Sequence, residues 1–185
     1  AIFSQTLDSD NFDNLTIGDF SADITGETPG QGGFLVFANN GADPTTTTNA
    51  AASNLQVVAS GNNGSQGAQL TTPDGDSGVR FLFKLFDDEW TSRESGNDII
   101  ELQLSFFTGA STTSRAPFRA SIFGSNAGTN TTIAAIQFDP VNNELLGLAT
   151  LVNQGSVGFF AFNLGPDNTD LILPENTWYS IGCSY

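Results

Sequence analysis

The chain has 185 residues, enough for one domain with a sizeable core, and carries 20 Gly and 16 Phe but no His and no Met. Without His, every catalytic scheme that needs an imidazole is removed. Twenty acidic residues against five basic ones (Arg80, Lys84, Arg93, Arg115 and Arg119) give a net charge of −15, which repels phosphate backbones and anionic lipid and so argues against nucleic acid and membrane partners.

The N-terminal AIFSQTLDSD has neither an initiator Met nor a charged-then-apolar leader, the form expected of a mature, signal-cleaved chain and equally of a trimmed one. Strand-like segments follow, separated by turn-rich tracts: GGFLVFA (32–38), NLQVVAS (54–60), VRFLFKLF (79–86), DIIELQLSFF (98–107), FRASIFGS (118–125), IAAIQFD (133–139), ELLGLATLV (144–152), VGFFAFNLG (157–165) and WYSIGCSY (178–185). No segment has a helical period, and no apolar run is long enough to span a membrane. The tract 39–54, NNGADPTTTTNAAASN, reads as a polar surface loop. FDPVNNELLG (138–147) and TPDGDSG (72–78) have the Pro, Asn-Asn and Asp-Gly chemistry of hairpins.

Strands at this spacing predict a single all-β domain over 1–185, an antiparallel β-sandwich of jelly-roll type. Period-2 alternation puts Val79, Phe81, Phe83 and Leu85 on one face of their strand, and lines up Phe160, Phe162 and Leu164 on another. Both stripes read as core. The final strand has no return partner after it, so further strands are expected beyond residue 185. Cys183, alone, cannot make an internal disulfide and reads as a buried inert thiol. Three sequons, at Asn14, Asn63 and Asn130, fit chance in a chain this rich in Asn and Thr.

Taken together, FDNLTIGDF, GQGGFLVF, GNDIIELQLSFFTG, FDPVNNELLGLA and LPENTWYSIGCSY resemble the laminin-G-like, concanavalin A-type jelly rolls of secreted Bacteroidota proteins. The Trp178 segment is similar to the Trp-Tyr strand of laminin-G and pentraxin domains. The resemblance implies a secreted or cell-surface binding module, often followed by a C-terminal sorting domain read by the type IX secretion machinery.

Three sets of residues are candidates for chemistry. SGNDIIELQLSFF resembles the catalytic strand of laminarinase-like glycoside hydrolases, which would align Asp98 and Glu101 with the helper and the acid/base. Gly96 then stands where the nucleophile belongs, and unbroken alternation would put Asp98 and Glu101 on opposite faces. A non-catalytic strand is therefore expected, with the Asp98/Glu101 enzyme as the alternative. Asp8, Asp10 and Asp13, or alternatively Asp74 and Asp76, offer the clustered oxygens that a structural Ca²⁺ takes, without the spacing of an EF-hand. Trp90, after the acidic FDDE, could stack on a sugar ring with Arg93 bonding a hydroxyl. The expected partner is a glycan or surface polysaccharide. A third reading is an assembly or cargo subunit whose open edge is completed by another chain.

Overall fold

A computed structural model describes residues 5–41, 49–72, 78–96, 99–112, 116–126, 129–153 and 156–184. The chain forms two compact units, residues 1–97 and 98–185. Both are built almost wholly of antiparallel strands, and in each the apolar faces of two sheets close over one cluster. The all-β sandwich expected from strand spacing is what forms.

The N-terminal unit contains β1 (Gly18–Asp19), β2 (Leu35–Asn39), β3 (Leu55–Val58), β4 (Gly67–Leu70), β5 (Val79–Phe83) and a single-turn helix, α1 (Asp87–Thr91). One sheet has the order β1-β3-β4 and the other pairs β2 with β5. In β3 the alternation is strict: Leu55 and Val57 are fully buried, and Gln56 and Val58 are half-buried. They meet Phe20, Val36 and Ala38, with Phe12, Leu15, Phe34, Leu70 and Leu82 packed around them. Phe12, Phe20 and Phe34 form a ring cluster with centroids 5.2 to 5.9 Å apart.

Gly30 lets the chain pass directly over Phe20. A Cβ there would sit 2.1 Å from the Phe20 carbonyl oxygen, which instead accepts the Gln31 N–H at 2.8 Å. The Gln31 side chain then spans the loop, donating to the Thr16 and Asp19 carbonyls and accepting from the Thr16 N–H. The next loop closes on Asp23, whose carboxylate takes the Thr25 and Thr28 N–H groups and the Thr25 hydroxyl. Those bonds favour the ionised form and hold its pKa at about 2.

The inward face of β5 departs from expectation. Leu82 packs on the core and Arg80 donates to the fully buried Asn49 at 2.7 Å, whereas Val79, Phe81 and Leu85 are exposed. Alternation says which residues share a face but not which face turns inward. Here the buried amide of Asn49 gives the guanidinium a partner, so the charged face can be the inner one. Phe81 instead stacks on Phe37 of β2 at 6.3 Å.

The C-terminal unit contains β6 (Glu101–Phe107), β7 (Phe118–Asn126), β8 (Thr129–Asp139), β9 (Glu144–Asn153), β10 (Ser156–Asn163), β11 (Leu171–Ile172) and β12 (Trp178–Ser184). Strands β7 to β10 form a meander in chain order, with β11 paired to the end of β9. The predicted hairpin at 138–147 joins β8 to β9, pairing Asp139 with Glu144 and placing Asn143 at φ 54°. A register shift at Ile122/Phe123 interrupts the β7–β8 ladder. On β10 the expected core stripe turns outward in part, since Phe162 and Leu164 are exposed. β6 and β12 make the second, two-stranded sheet. Phe106 from β6 joins Ile136, Phe138, Leu145 and Leu173 in the core, with Leu104, Phe118, Tyr179, Ile181 and Cys183 packed against them.

Phe20→Ala removes a fully buried ring and is expected to cost about 3–5 kcal/mol in denaturant unfolding. Phe81→Ala, at a residue 49% exposed, should stay within about 1 kcal/mol of wild type. Similar losses for the two would mean that the Phe81 face of β5 is buried as deeply as Phe20.

Candidate functional site

β6 and β12 owe their two faces to the same period. In ELQLSFF, Leu104 and Phe106 point into the core while Glu101, Gln103, Ser105 and Phe107 are exposed. β12 runs antiparallel beside it, pairing Trp178 with Phe107, Ser180 with Ser105, Gly182 with Gln103 and Ser184 with Glu101. Directly paired residues project from the same face, so the outer face is a stripe two side chains wide and about 20 Å long.

One end of the stripe is aromatic. The Phe107 and Trp178 rings lie 5.5 Å apart at 42°, with Phe107 48% exposed and Trp178 half-buried. Next comes a hydroxyl pair, Ser105 Oγ and Ser180 Oγ, 2.9 Å apart. Beyond it Gln103 donates to the Glu101 carboxylate. Gly182 keeps the middle low, because a Cβ there would press on Gln103 Cγ at 3.3 Å.

Thr108 sets the aromatic end. It is buried, and its Oγ1 donates toward the Pro174 and Thr177 carbonyls at 2.9 and 3.2 Å while accepting the Thr177 N–H at 3.0 Å. Its own N–H bonds the Thr177 carbonyl, and Asn176 N–H bonds the Gly109 carbonyl. The turn that delivers Trp178 is thus stapled to the residue that follows Phe107. On the inner side of β12, burial pushes the Cys183 thiol pKa up, and the Glu101 carboxylate adds to the shift. That favours the protonated thiol, although Cys183 is half-buried and not the buried thiol expected from sequence.

Of the residues singled out from sequence, Glu101 is on this stripe, facing water with Gln103. Asp98, Asp74 and Asp76 lie outside the described residues. Trp90 is in α1, half-buried, and the Arg93 guanidinium lies 3.9 Å from its ring centroid while donating to the Trp90 carbonyl at 2.8 Å. The two expected glycan contacts are therefore together, but one indole face is already covered by its own chain. Asp8 and Asp10 converge on Lys84, whose Nζ is 2.8 and 3.6 Å from their carboxylates and 4.2 Å from the Phe34 ring centroid. Asp13 turns elsewhere, accepting from Gln66 N–H and Asn11 Nδ2. Among the described residues no group of three or more His, Cys, Asp or Glu side chains is arranged to hold a metal ion.

A further acidic group escaped the sequence reading. At the β8–β9 hairpin, burial raises the Glu144 pKa, and the Asp170 and Asp139 carboxylates raise it further. Asp139 also accepts the Val141 N–H and Asn142 Nδ2, at the rim of an open depression lined by Pro117, Gln137, Asp139, Val141 and Asn142. The signal available was the turn FDPVNNE, with acids paired across the hairpin. Asp170 is added only by the pairing of β11 with β9.

Comparison with known protein families, curated proteins and solved structures finds no match to this chain.

Thr108→Val keeps the shape but leaves the Thr177 N–H without its hydroxyl acceptor, and should lower stability by about 1–3 kcal/mol in urea unfolding. For Glu144 the sign is set by its raised pKa. A carboxyl that holds its proton more tightly when folded contributes stability that is fully present below its unfolded value and lost as the pH rises through the folded one. Glu144→Gln should therefore raise Tm at pH 7, with the gain over wild type shrinking as the pH is lowered through the carboxyl range.

Proposed function

We propose that this chain is a non-catalytic, carbohydrate-recognising module of a secreted or surface-exposed protein, and that it binds through the outer face of β6 and β12. The observation that carries the reading is the outward Phe107–Trp178 pair at the head of a stripe of hydroxyl, amide and carboxylate groups. A sugar ring has an apolar C–H face and a rim of hydroxyls. An aromatic surface accepts the first and short polar side chains the second.

A hydrolytic role has less support. A retaining glycosidase needs two carboxyl groups about 5 Å apart across the bond, and the Glu101 carboxylate is hydrogen-bonded to Gln103 on a flat, open strand face. Completion of an edge by another chain is the second reading. It is favoured by one observation, that β6 and β12 pair only with each other among the described strands. Unpaired N–H and C=O groups along such edges accept a further strand.

The test is binding to an immobilised polysaccharide panel. Trp178→Ala and Phe107→Ala are each expected to weaken binding by about tenfold or more, the loss of about 1.4 kcal/mol of ring contact, while circular dichroism stays unchanged. Trp90→Ala should leave binding intact. Undiminished binding by the folded Trp178→Ala variant would rule out the β6–β12 face.

A further inference from the structure

Building on that reading of the β6–β12 face, we infer that its ligand is a neutral, linear polysaccharide laid along the strands, several sugar units long. Charge excludes the acidic glycans. The five basic residues of the chain are Arg80, Lys84, Arg93, Arg115 and Arg119, and none belongs to β6 or β12. Four of them have partners elsewhere: Arg80 on Asn49, Lys84 on Asp8, Arg93 on Trp90 and Arg119 on Gln137. The stripe itself carries Glu101 in a chain of net charge −15. On the described residues of β6 and β12 a uronate or sulfate ester would meet a carboxylate and no basic side chain, on a chain whose net charge has its own sign.

The polar groups point the same way. Beside its bond from Gln103, the exposed Glu101 carboxylate has acceptor sites left over, and free sugar hydroxyls can donate to them. Ser105, Ser180 and Gln103 both donate and accept, which matches hydroxyls that do the same.

Shape selects the linear form. Ser and Gln side chains beside the bare backbone of Gly182 make a shallow track on a pleated face, not a pit that would enclose one sugar. The track runs about 20 Å from Glu101 to Phe107, and its aromatic pair stands at one end only. A single ring can occupy the Phe107–Trp178 end, but it cannot reach Gln103 and Glu101 at the other. Affinity must therefore grow with chain length until the track is filled.

The experiment uses the full chain in titration calorimetry against two probe sets. One is neutral: laminarin, xylan and agarose, with cello- and laminari-oligosaccharides of two to six units. The other is anionic: alginate and polygalacturonate. Binding confined to the neutral set, rising at least tenfold from dimer to hexamer in one oligosaccharide series and lost in Trp178→Ala, is the expected result. Glu101→Lys should bring measurable alginate binding. Binding of wild type to alginate or polygalacturonate that is lost in Trp178→Ala, or affinity already complete at the disaccharide, would overturn the neutral linear ligand while leaving the carbohydrate site standing. Failure to bind any probe of either set would overturn the site and the ligand together.

Discussion

The antiparallel register between β6 and β12 is the constraint on which the C-terminal unit turns. Because successive side chains point to opposite faces, one alignment does two things at once. It commits Phe106, Tyr179, Ile181 and Cys183 to the core and sends Glu101, Gln103, Ser105 and Phe107 to water. A slip of one residue in β6 would turn that strand over, exposing Leu104 and Phe106 and burying the Glu101 carboxylate. The free energy of burying apolar groups, about 1.5–3 kcal/mol for each large one, therefore holds the outer stripe in place although no stripe residue is itself fully buried. Thr108 reinforces the same alignment from beyond the end of β6, its hydroxyl adding to the backbone bonds that join Thr108 to Thr177 and Gly109 to Asn176.

In the N-terminal unit the order comes from a different source. Its strands are short, and much of the chain between them is loop, so side-chain bonds do what longer ladders do elsewhere. Gln31, Asp23 and Gln66 each satisfy backbone groups of segments distant in sequence or on the far side of a turn. Buried or loop backbone groups need such partners, and amide and carboxylate side chains at these points supply them. The abundance of Asn, Gln and Asp in the chain is thus partly structural.

Much of the fold was legible from periodicity and turn chemistry. Each of the nine segments read as strands overlaps one, and the hairpin at Pro140 joins the strands it was expected to join. The elements that escaped are β1, β11 and α1, each too short to show a period, and β4, whose GAQL has a single large apolar side chain. Polarity of faces was harder. Arg80 is drawn inward by Asn49, a residue in a tract that looked featureless. The candidate stripe was only half visible. Glu101 was singled out and set on the face opposite Asp98, but the meeting of Phe107 with Trp178 depends on a pairing of strands separated in the chain by all of β7 to β11. Local pattern carries no information about such a meeting. Trp90 stood out because acids surround it, yet those acids serve the first turn of α1, where a negative charge is favourable.

Lys84 has a consequence of another kind. Its ammonium lies between Asp8 and Asp10 over the Phe34 ring, and its side chain is only 13% exposed. A cation of this sort is encoded in the gene and delivered once per molecule. Unlike a bound ion it cannot be diluted away, stripped by a competing chelator or replaced by a rival metal. Being shielded, it also feels dissolved salt less than a surface pair does. The hold on the acidic N-terminal segment is therefore set at synthesis, and Lys84 needs no ion from the surrounding medium to supply it.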